Sequence, residues 1–222
     1  LVLGQDAISD AASATVTVTL EDAGGGTIVA RPPAGVAESD LLVVIYPGGL
    51  VRPQAYEWLA RALAGQGHVT VIPEFSFDLA VTGVARADAL VARYGAGKRL
   101  VLAGHSLGGA MAAQYAADRA RAGSGVPSGL VLLAAYPAAG ADLSGLDVDV
   151  LSLTAEHDRV VNAAALAEAW ARLPSDTSLE DELRAADEAL ADEAQAAVGA
   201  LVDEIDPDPA VLGRVKGERA AM

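Results

Sequence analysis

The first part of the chain contains two short segments that are typical of strands. In residues 14–20 threonine alternates with valine, and this period of two predicts a half-exposed strand. Three consecutive glycines, from Gly24 to Gly26, then predict a turn before a second strand at residues 27–30. We therefore expect an antiparallel hairpin at the start of the fold.

Longer apolar runs follow the hairpin and predict buried strands. Strands that are apolar on both faces are typical of a parallel sheet covered by helices, and the segments between them have apolar residues at helical spacing, such as Tyr56, Leu59 and Leu63. The alternation predicts an α/β fold with a doubly wound, mostly parallel sheet. The predicted strands cover residues 41–46, 69–72, 100–103, 130–135 and 148–153, and the predicted helices cover residues 54–64, 81–94, 107–122 and 163–173.

A different pattern begins near residue 177. Thr177, with Glu180 three residues later, fits a capping box at the start of a helix. We expect no apolar strand beyond Leu173, because one apolar stripe at helical spacing predicts a single long amphipathic helix that Pro207 ends. The stripe consists of Leu183, Leu190, Ala194, Leu201 and Ile205.

These patterns predict a core over residues 1–177 and an acidic amphipathic helix with a loose tail over residues 178–222. Residues 179–222 include 12 acidic and 4 basic side chains, and the whole chain has a net charge of −15. Such a charge repels polyanions, so nucleic acid is excluded as a partner. The apolar stripe has no place in the predicted sheet, which makes residues 179–205 a candidate homodimer contact.

Composition narrows the chemistry further. The chain contains no cysteine, which excludes disulfides, thiolate metal sites and a cysteine nucleophile. We find no metal-ligand spacing and no phosphate-binding glycine loop, and we predict no cofactor. No apolar run reaches the roughly 20 residues that span a bilayer. The chain starts at Leu1, which leaves two locations open: the cytoplasm, or outside it if an N-terminal anchor has been removed.

The strongest chemical motif is Gly104-His105-Ser106-Leu107-Gly108, which lies between a predicted strand and a predicted helix. In a Gly-x-Ser-x-Gly turn the serine has strained backbone geometry, and the residues two positions away must be small. The turn lifts the hydroxyl above the carboxyl edge of the sheet, and the Leu107 N–H points to where an oxyanion forms. We interpret Ser106 as a catalytic nucleophile.

A second glycine turn, Tyr46-Pro47-Gly48-Gly49-Leu50, follows the first long parallel strand. Glycines at this place let the backbone approach the serine, and Gly49 and Leu50 are the candidate donors of a second N–H to the oxyanion. An ordinary Pro-Gly turn is the alternative, but the position directly after the strand favours the functional interpretation.

These residues resemble the alpha/beta-hydrolase superfamily, in particular its small, lidless dienelactone-hydrolase-like branch. Residues 75–81 (Phe-Ser-Phe-Asp-Leu-Ala-Val) and 132–137 (Leu-Leu-Ala-Ala-Tyr-Pro) also match, and the resemblance covers about residues 15–177. It implies an alpha/beta-hydrolase fold, here with an atypical C-terminal helix, and a catalytic triad in the order serine, acid, histidine. The implied activity is that of an esterase-like serine hydrolase that cleaves carboxylic esters or small lactones.

The resemblance implies an acid in the loop after the strand at residues 148–153. Asp158 fits this place, shortly before a Val-Val pair, and Glu156 is the reserve. Asp158 would orient the histidine of the triad and stabilise its imidazolium form. The alternative role of Asp158 is to cap the following helix.

The histidine of the triad is missing, because none follows His157. We expect His68 at the far edge of the sheet and His105 to point away from the serine, so His157 is the one candidate base. A triad serine without its base loses on the order of 10⁴–10⁶ in rate, about 5–8 kcal/mol of barrier. A reading-frame shift near Ser178, a non-catalytic descendant, and a base from a partner chain are the three explanations left open.

Four aromatic residues follow predicted strand ends, where ligands bind in such sheets. Tyr46, Phe75, Phe77 and Tyr136 are candidates for an apolar cleft that takes an acyl or alkyl group; packing of the loops onto the core is an equally open alternative. The sequence thus predicts a serine hydrolase with impaired catalysis. The alternative is a catalytically silent binding or interaction module on the same fold.

Overall fold

A computed structural model describes residues 15–154 and 163–181 of the chain, which form one sheet of eight strands. The strands are β1 (Thr17–Asp22), β2 (Gly26–Arg31), β3 (Leu41–Tyr46), β4 (Val69–Pro73), β5 (Arg99–His105), β6 (Gly129–Leu133), β7 (Asp149–Thr154) and β8 (Ser178–Asp181). Their order across the sheet is β1-β2-β4-β3-β5-β6-β7-β8. Strands β3 to β8 run parallel, whereas β2 pairs antiparallel with both β1 and β4.

Helices cover both faces of the sheet, which confirms the predicted doubly wound α/β fold. Among the described residues the α-helices are α1 (Glu57–Gly65), α2 (Arg86–Tyr94), α3 (Leu107–Arg121) and α4 (Ala163–Trp170). On one face α1 buries Leu59 and Leu63, and on the other α2 and α3 bury Leu90 and Ala116. No helix within these ranges is both long and apolar enough to cross a bilayer.

The continuous apolar runs form the parallel strands, as predicted. All six residues of β3 and all five of β4 are buried, because helices cover these central strands on both sides. The alternating Thr-Val segment forms β1, which is half-exposed and pairs with β2 from Thr17 opposite Arg31 to Asp22 opposite Gly26. This pairing confirms the N-terminal antiparallel hairpin.

The strand at residues 178–181 corrects the sequence interpretation. We expected Thr177 and Glu180 to begin a helix, but residues 178–181 form β8, in which Ser178 lies opposite Leu151 and Asp181 opposite Thr154 of β7. The free edge of β7 supplies backbone hydrogen-bonding partners that outweigh the local capping signal. The rest of the predicted helix, with most of the candidate dimer contact at residues 179–205, lies outside the described residues.

The topology places a crevice between the carboxyl ends of β3 and β5. The chain leaves β3 toward β4 on one side and later returns to β5 on the other side of β3. Tyr46, the last residue of β3, lies opposite Gly104 near the end of β5. In open α/β sheets ligands bind where the strand order reverses in this way. The two glycine turns found in the sequence both begin at this point.

Candidate functional site

Ser106 lies on a strained turn between β5 and α3. Its φ is 50° and its ψ is −119°, a conformation that costs a residue with a Cβ about 1–3 kcal/mol. Two hydrogen bonds hold the turn: the Ser106 N–H donates to the Leu133 carbonyl at 2.9 Å, and the Ala110 N–H donates to the Ser106 carbonyl at 3.1 Å. The half-buried serine therefore occupies the N-terminus of a 15-residue helix, where the helix dipole favours negative charge.

Packing requires the glycines on either side of the serine. A Cβ on Gly108 would lie 2.1 Å from the Tyr46 carbonyl oxygen and 2.4 Å from that of Pro47. A Cβ on Gly104 would lie 2.5 Å from backbone atoms of Gly108. Rotation of a side chain cannot relieve clashes with backbone atoms, so the chain itself would have to move. Contact with the loop after β3 thus explains Gly108, and contact with the first turn of α3 explains Gly104.

Backbone strain is concentrated at this edge of the sheet. Among the described residues, five non-glycine residues have positive φ, and each follows the carboxyl end of one of the strands β3 to β6. Strain of this kind persists where the surrounding structure enforces it, and it clusters at functional sites. The residues are Leu50 (φ 59°), Phe77 (φ 58°), Asp78 (φ 55°), Ser106 (φ 50°) and Ala134 (φ 45°).

The loop after β3 packs against the start of α3. A Cβ on Gly49 would lie 3.3 Å from Cδ2 of Leu107, so the two glycine turns are in van der Waals contact. The Leu50 N–H donates to the Asp78 carbonyl at 2.8 Å, which engages one of the two donors expected after β3. Gly49 is then the better candidate, together with Leu107, whose N–H at the first position of α3 has no intrahelical acceptor.

Sequence reasoning missed a hydroxyl group that joins the two turns. The Gly48 N–H donates to the Tyr56 hydroxyl at 2.9 Å, and this hydroxyl lies 2.9 Å from Nδ1 of His105. Helical spacing correctly indicated that the Tyr56 ring is buried, but the polar contacts depend on how distant segments align. Burial raises the pKa of the Tyr56 phenol, so the group keeps its proton at neutral pH.

Two of the four aromatic residues proposed for a substrate cleft pack into the core instead. Tyr46 is fully buried; its hydroxyl accepts from the Ala87 N–H at 2.8 Å and donates to the Val84 carbonyl at 2.9 Å. Burial raises the pKa of Tyr46 well above its usual range. Phe75 contacts Tyr46 edge to face, with ring centroids 4.9 Å apart. These two rings hold loops onto the core, which is the alternative that the sequence left open.

The other aromatic residues are more accessible. Phe77 is 83% exposed, and two further apolar side chains on the loops after β3 and β4 are also exposed, Leu50 (76%) and Val81 (55%). We refer to Leu50, Phe77 and Val81 as the apolar rim. The hydrogen bond from Leu50 to Asp78 joins these loops beside Gly49. Tyr136 is half-buried in the loop after β6.

The remaining site residues proposed from the sequence lie apart or outside the described residues. Glu156, His157 and Asp158 lie between residues 154 and 163, where the structure is not described, so their triad roles stay predictions. His68 lies directly before β4 at the opposite edge of the sheet, as expected, with Nδ1 2.8 Å from Ser39 Oγ. The sequence contains no histidine after β8.

Comparison with known proteins places the fold in a family. A sequence model of the alpha/beta hydrolase family matches residues 42–182, more than half of the chain, and no curated protein matches significantly. The chain is similar to the crystal structure of TT1662 from Thermus thermophilus, with 16% identity and a TM-score of 0.59 over 83% of this chain and 97% of that one. It is also similar to a hormone-sensitive lipase from a metagenome library, with 19% identity and a TM-score of 0.58 over 82% of each chain. At such identities the structural likeness shows the fold alone. The match of the family model, which spans β3 to β8, shows that the chain belongs to the alpha/beta hydrolase family.

Proposed function

We propose that this protein is a serine hydrolase of carboxylic esters or small lactones, with Ser106 as the nucleophile. The observation that carries the proposal is the strained Ser106 backbone at the N-terminus of α3, in contact with a second glycine turn. Strain at this position has a cost in stability, and a role in presenting the hydroxyl to a substrate accounts for it. Membership of the alpha/beta hydrolase family supports the reaction class.

The reaction follows from the groups around Ser106. Its Oγ attacks the carbonyl carbon of the ester, and the carbonyl oxygen becomes an oxyanion that accepts hydrogen bonds from the Leu107 and Gly49 N–H groups. Collapse of this intermediate breaks the bond to the alkoxy oxygen, which takes up the proton that the Ser106 hydroxyl gave to the base during the attack and leaves as an alcohol or as the open end of a lactone. Water then hydrolyses the acyl-serine. Each oxyanion donor contributes about 10²–10³ in rate.

The general base is the component of the catalytic site for which the chain lacks the usual histidine. Asp158 is proposed as the acid, with Glu156 as its reserve, and His157 as the base available within the chain. No histidine follows β8, the strand after which the family places one. We therefore propose a rate lowered by on the order of 10⁴–10⁶ relative to a complete triad.

The apolar rim indicates where the hydrophobic part of a substrate lies. Leu50 directly follows Gly49. Leu79 lies in the sequence between the rim residues Phe77 and Val81, and its side chain would lie 3.7 Å from a Cβ at Gly49. An acyl or alkyl group bound at the serine would therefore cover exposed side chains of the rim and remove their apolar surface from water. Tyr136 is the further candidate for this surface.

A second candidate function is a catalytically silent binding module. The specific observation in its favour is that β8 is present while the sequence after it contains no histidine. In that case the crevice binds a ligand without turnover, and the acidic segment after β8 contacts a partner. The two functions differ in whether Ser106 forms a covalent bond.

Acylation by an activated ester distinguishes them. The wild type and Ser106→Ala are incubated with p-nitrophenyl acetate, and intact-protein mass spectrometry counts the acetyl groups. We expect a stoichiometric acetyl-enzyme in the wild type alone, and we expect it to persist because deacylation by water needs a base. Equal acetylation of the two proteins, or none in either, contradicts the hydrolase and supports the silent module.

A further inference from the structure

The Tyr56 hydroxyl bridges two turns that are distant in sequence. One contact is the hydrogen bond from the Gly48 N–H, and the other is with Nδ1 of His105, each at 2.9 Å. Gly48 directly precedes Gly49, the proposed oxyanion donor, and His105 directly precedes Ser106, the proposed nucleophile. A single phenol oxygen thus contacts the sequence neighbours of both the proposed oxyanion donor and the proposed nucleophile.

The Tyr56 hydroxyl can make both hydrogen bonds at once. The Gly48 N–H is a donor only, so the phenol oxygen accepts from it. The contact with Nδ1 of His105 joins two groups that can each donate or accept a hydrogen bond, and the tautomer of the imidazole ring sets their roles. Tyr56 is 8% exposed, so water has little access to replace either bond.

Close packing makes the bridge rigid. A Cβ on Gly48 would lie 2.6 Å from Nδ1 of His105 and 3.1 Å from the Tyr56 hydroxyl oxygen. There is no room for the loop to move toward β5, and the hydrogen bond to Tyr56 opposes movement away from it. Beyond Gly48, the next residue contacts the side chain of Leu107 on α3.

We propose that Tyr56 is a positioning residue of the site, whose hydroxyl holds the Gly48–Gly49 loop at a fixed distance from the turn that carries Ser106. The effect on reactivity rests on the proposed hydrolase function; the effect on the loop does not. Removal of an oxyanion donor lowers the rate by about 10²–10³. Loosening of that donor is expected to lower it by about 10-fold, since the Gly49 N–H is still present but less well placed.

The variant Tyr56→Phe removes the hydroxyl and keeps the buried ring. Its matched control is Tyr115→Phe, because Tyr115 is also buried and its hydroxyl donates to Asp88 at 2.7 Å on the other face of the sheet. Two quantities are measured for each protein: hydrogen exchange of the Gly48 and Gly49 amides, and the inactivation kinetics of Ser106 with a fluorophosphonate. Urea unfolding verifies that the two variants lose similar stability.

We expect the Gly48 amide to exchange at least about 10-fold faster in Tyr56→Phe and at the wild-type rate in Tyr115→Phe. The maximal rate of inactivation is expected to fall about 10-fold in Tyr56→Phe. The reagent concentration at which the rate is half-maximal should change little. Unchanged exchange in Tyr56→Phe, or equal changes in both variants, overturns the proposal. If the wild type does not react at all, the hydrolase function fails, and the exchange measurement still decides the role of Tyr56.

Discussion

Two serines at opposite edges of the same sheet have opposite surroundings. Ser39 precedes β3 at the amino edge, and its Oγ accepts from the Leu41 N–H at 3.2 Å and lies 2.8 Å from Nδ1 of His68. Ser106 follows β5 at the carboxyl edge with φ 50°. The first has a histidine partner and relaxed backbone geometry; the second has a strained backbone at a helix N-terminus.

From this difference we expect that contact with a histidine does not by itself make a serine of this chain nucleophilic. Around Ser39 the polar groups are engaged in the fold: its N–H donates to the Gly67 carbonyl, and its carbonyl accepts from Lys98. These bonds join the segment that precedes β3 to the segments that precede β4 and β5. Around Ser106, in contrast, the backbone is strained, and all the described non-glycine residues with positive φ lie at this edge. Backbone strain distinguishes the carboxyl edge, where we propose the active site, from the amino edge.

The largest effect is expected from Gly108→Ala, which forces apart the two turns at the carboxyl edge. The added Cβ would lie 2.1 Å from the Tyr46 carbonyl oxygen, and we expect the free energy of unfolding to fall by about 3 kcal/mol. Urea denaturation measures the change. The control is Gly125→Ala, where a Cβ meets nothing within 4 Å and the change is expected within about 0.5 kcal/mol. Equal effects of the two substitutions would refute the packing argument.

A smaller loss is expected from Ser39→Ala at the amino edge. The substitution removes the hydroxyl that bonds His68 and the Leu41 N–H, so the free energy of unfolding should fall by about 1–2 kcal/mol. The reaction of Ser106 with a fluorophosphonate should keep its wild-type rate. A slower reaction in Ser39→Ala would show that the two edges are not independent.

The opposite sign is expected for Ser106→Gly at the carboxyl edge. Glycine adopts positive φ without strain, although it also increases the entropy of the unfolded chain. We expect a net gain of about 0.5–1 kcal/mol in the free energy of unfolding, with complete loss of covalent reactivity. Ser106→Ala keeps the strain and is the control for loss of the hydroxyl. A lower free energy of unfolding in Ser106→Gly would contradict the conclusion that backbone strain at residue 106 destabilises the fold.

The smallest effect is expected from Phe77→Asn on the apolar rim. Phe77 is 83% exposed at φ 58°, and asparagine tolerates this conformation better than phenylalanine. Stability should rise by about 0.5 kcal/mol, while the preference for p-nitrophenyl butyrate over acetate should decrease as apolar contact area is lost. An unchanged preference would contradict the proposal that the apolar rim contacts the acyl group of the substrate.

The strands were predictable where burial alone determines them. The run at residues 41–46 is apolar at every position and forms β3 with the same bounds. The segment at Ser178–Asp181 was not predictable in this way, since its only strand-forming influence is the edge of β7. There the local pattern of Thr177 and Glu180 pointed to a helix, and pairing overrode it.

The site was predictable to the extent that its geometry is local. Ser106 and its two glycines lie within five residues of the sequence, so their turn could be derived from the motif. The bridge through Tyr56 joins Gly48 and His105, residues brought together only by the alignment of β3 and β5. The engagement of the Leu50 N–H by Asp78 likewise depends on contact between two loops.

We propose that the strained turn, and not contact with a histidine, makes a serine of this chain reactive. Wild type, Ser106→Ala and Ser39→Ala are treated with a fluorophosphonate, and peptide mass spectrometry locates the modified residue. We expect modification of Ser106 in the wild type and in Ser39→Ala, and none in Ser106→Ala. Modification of Ser39, or equal modification of the wild type and Ser106→Ala, contradicts it.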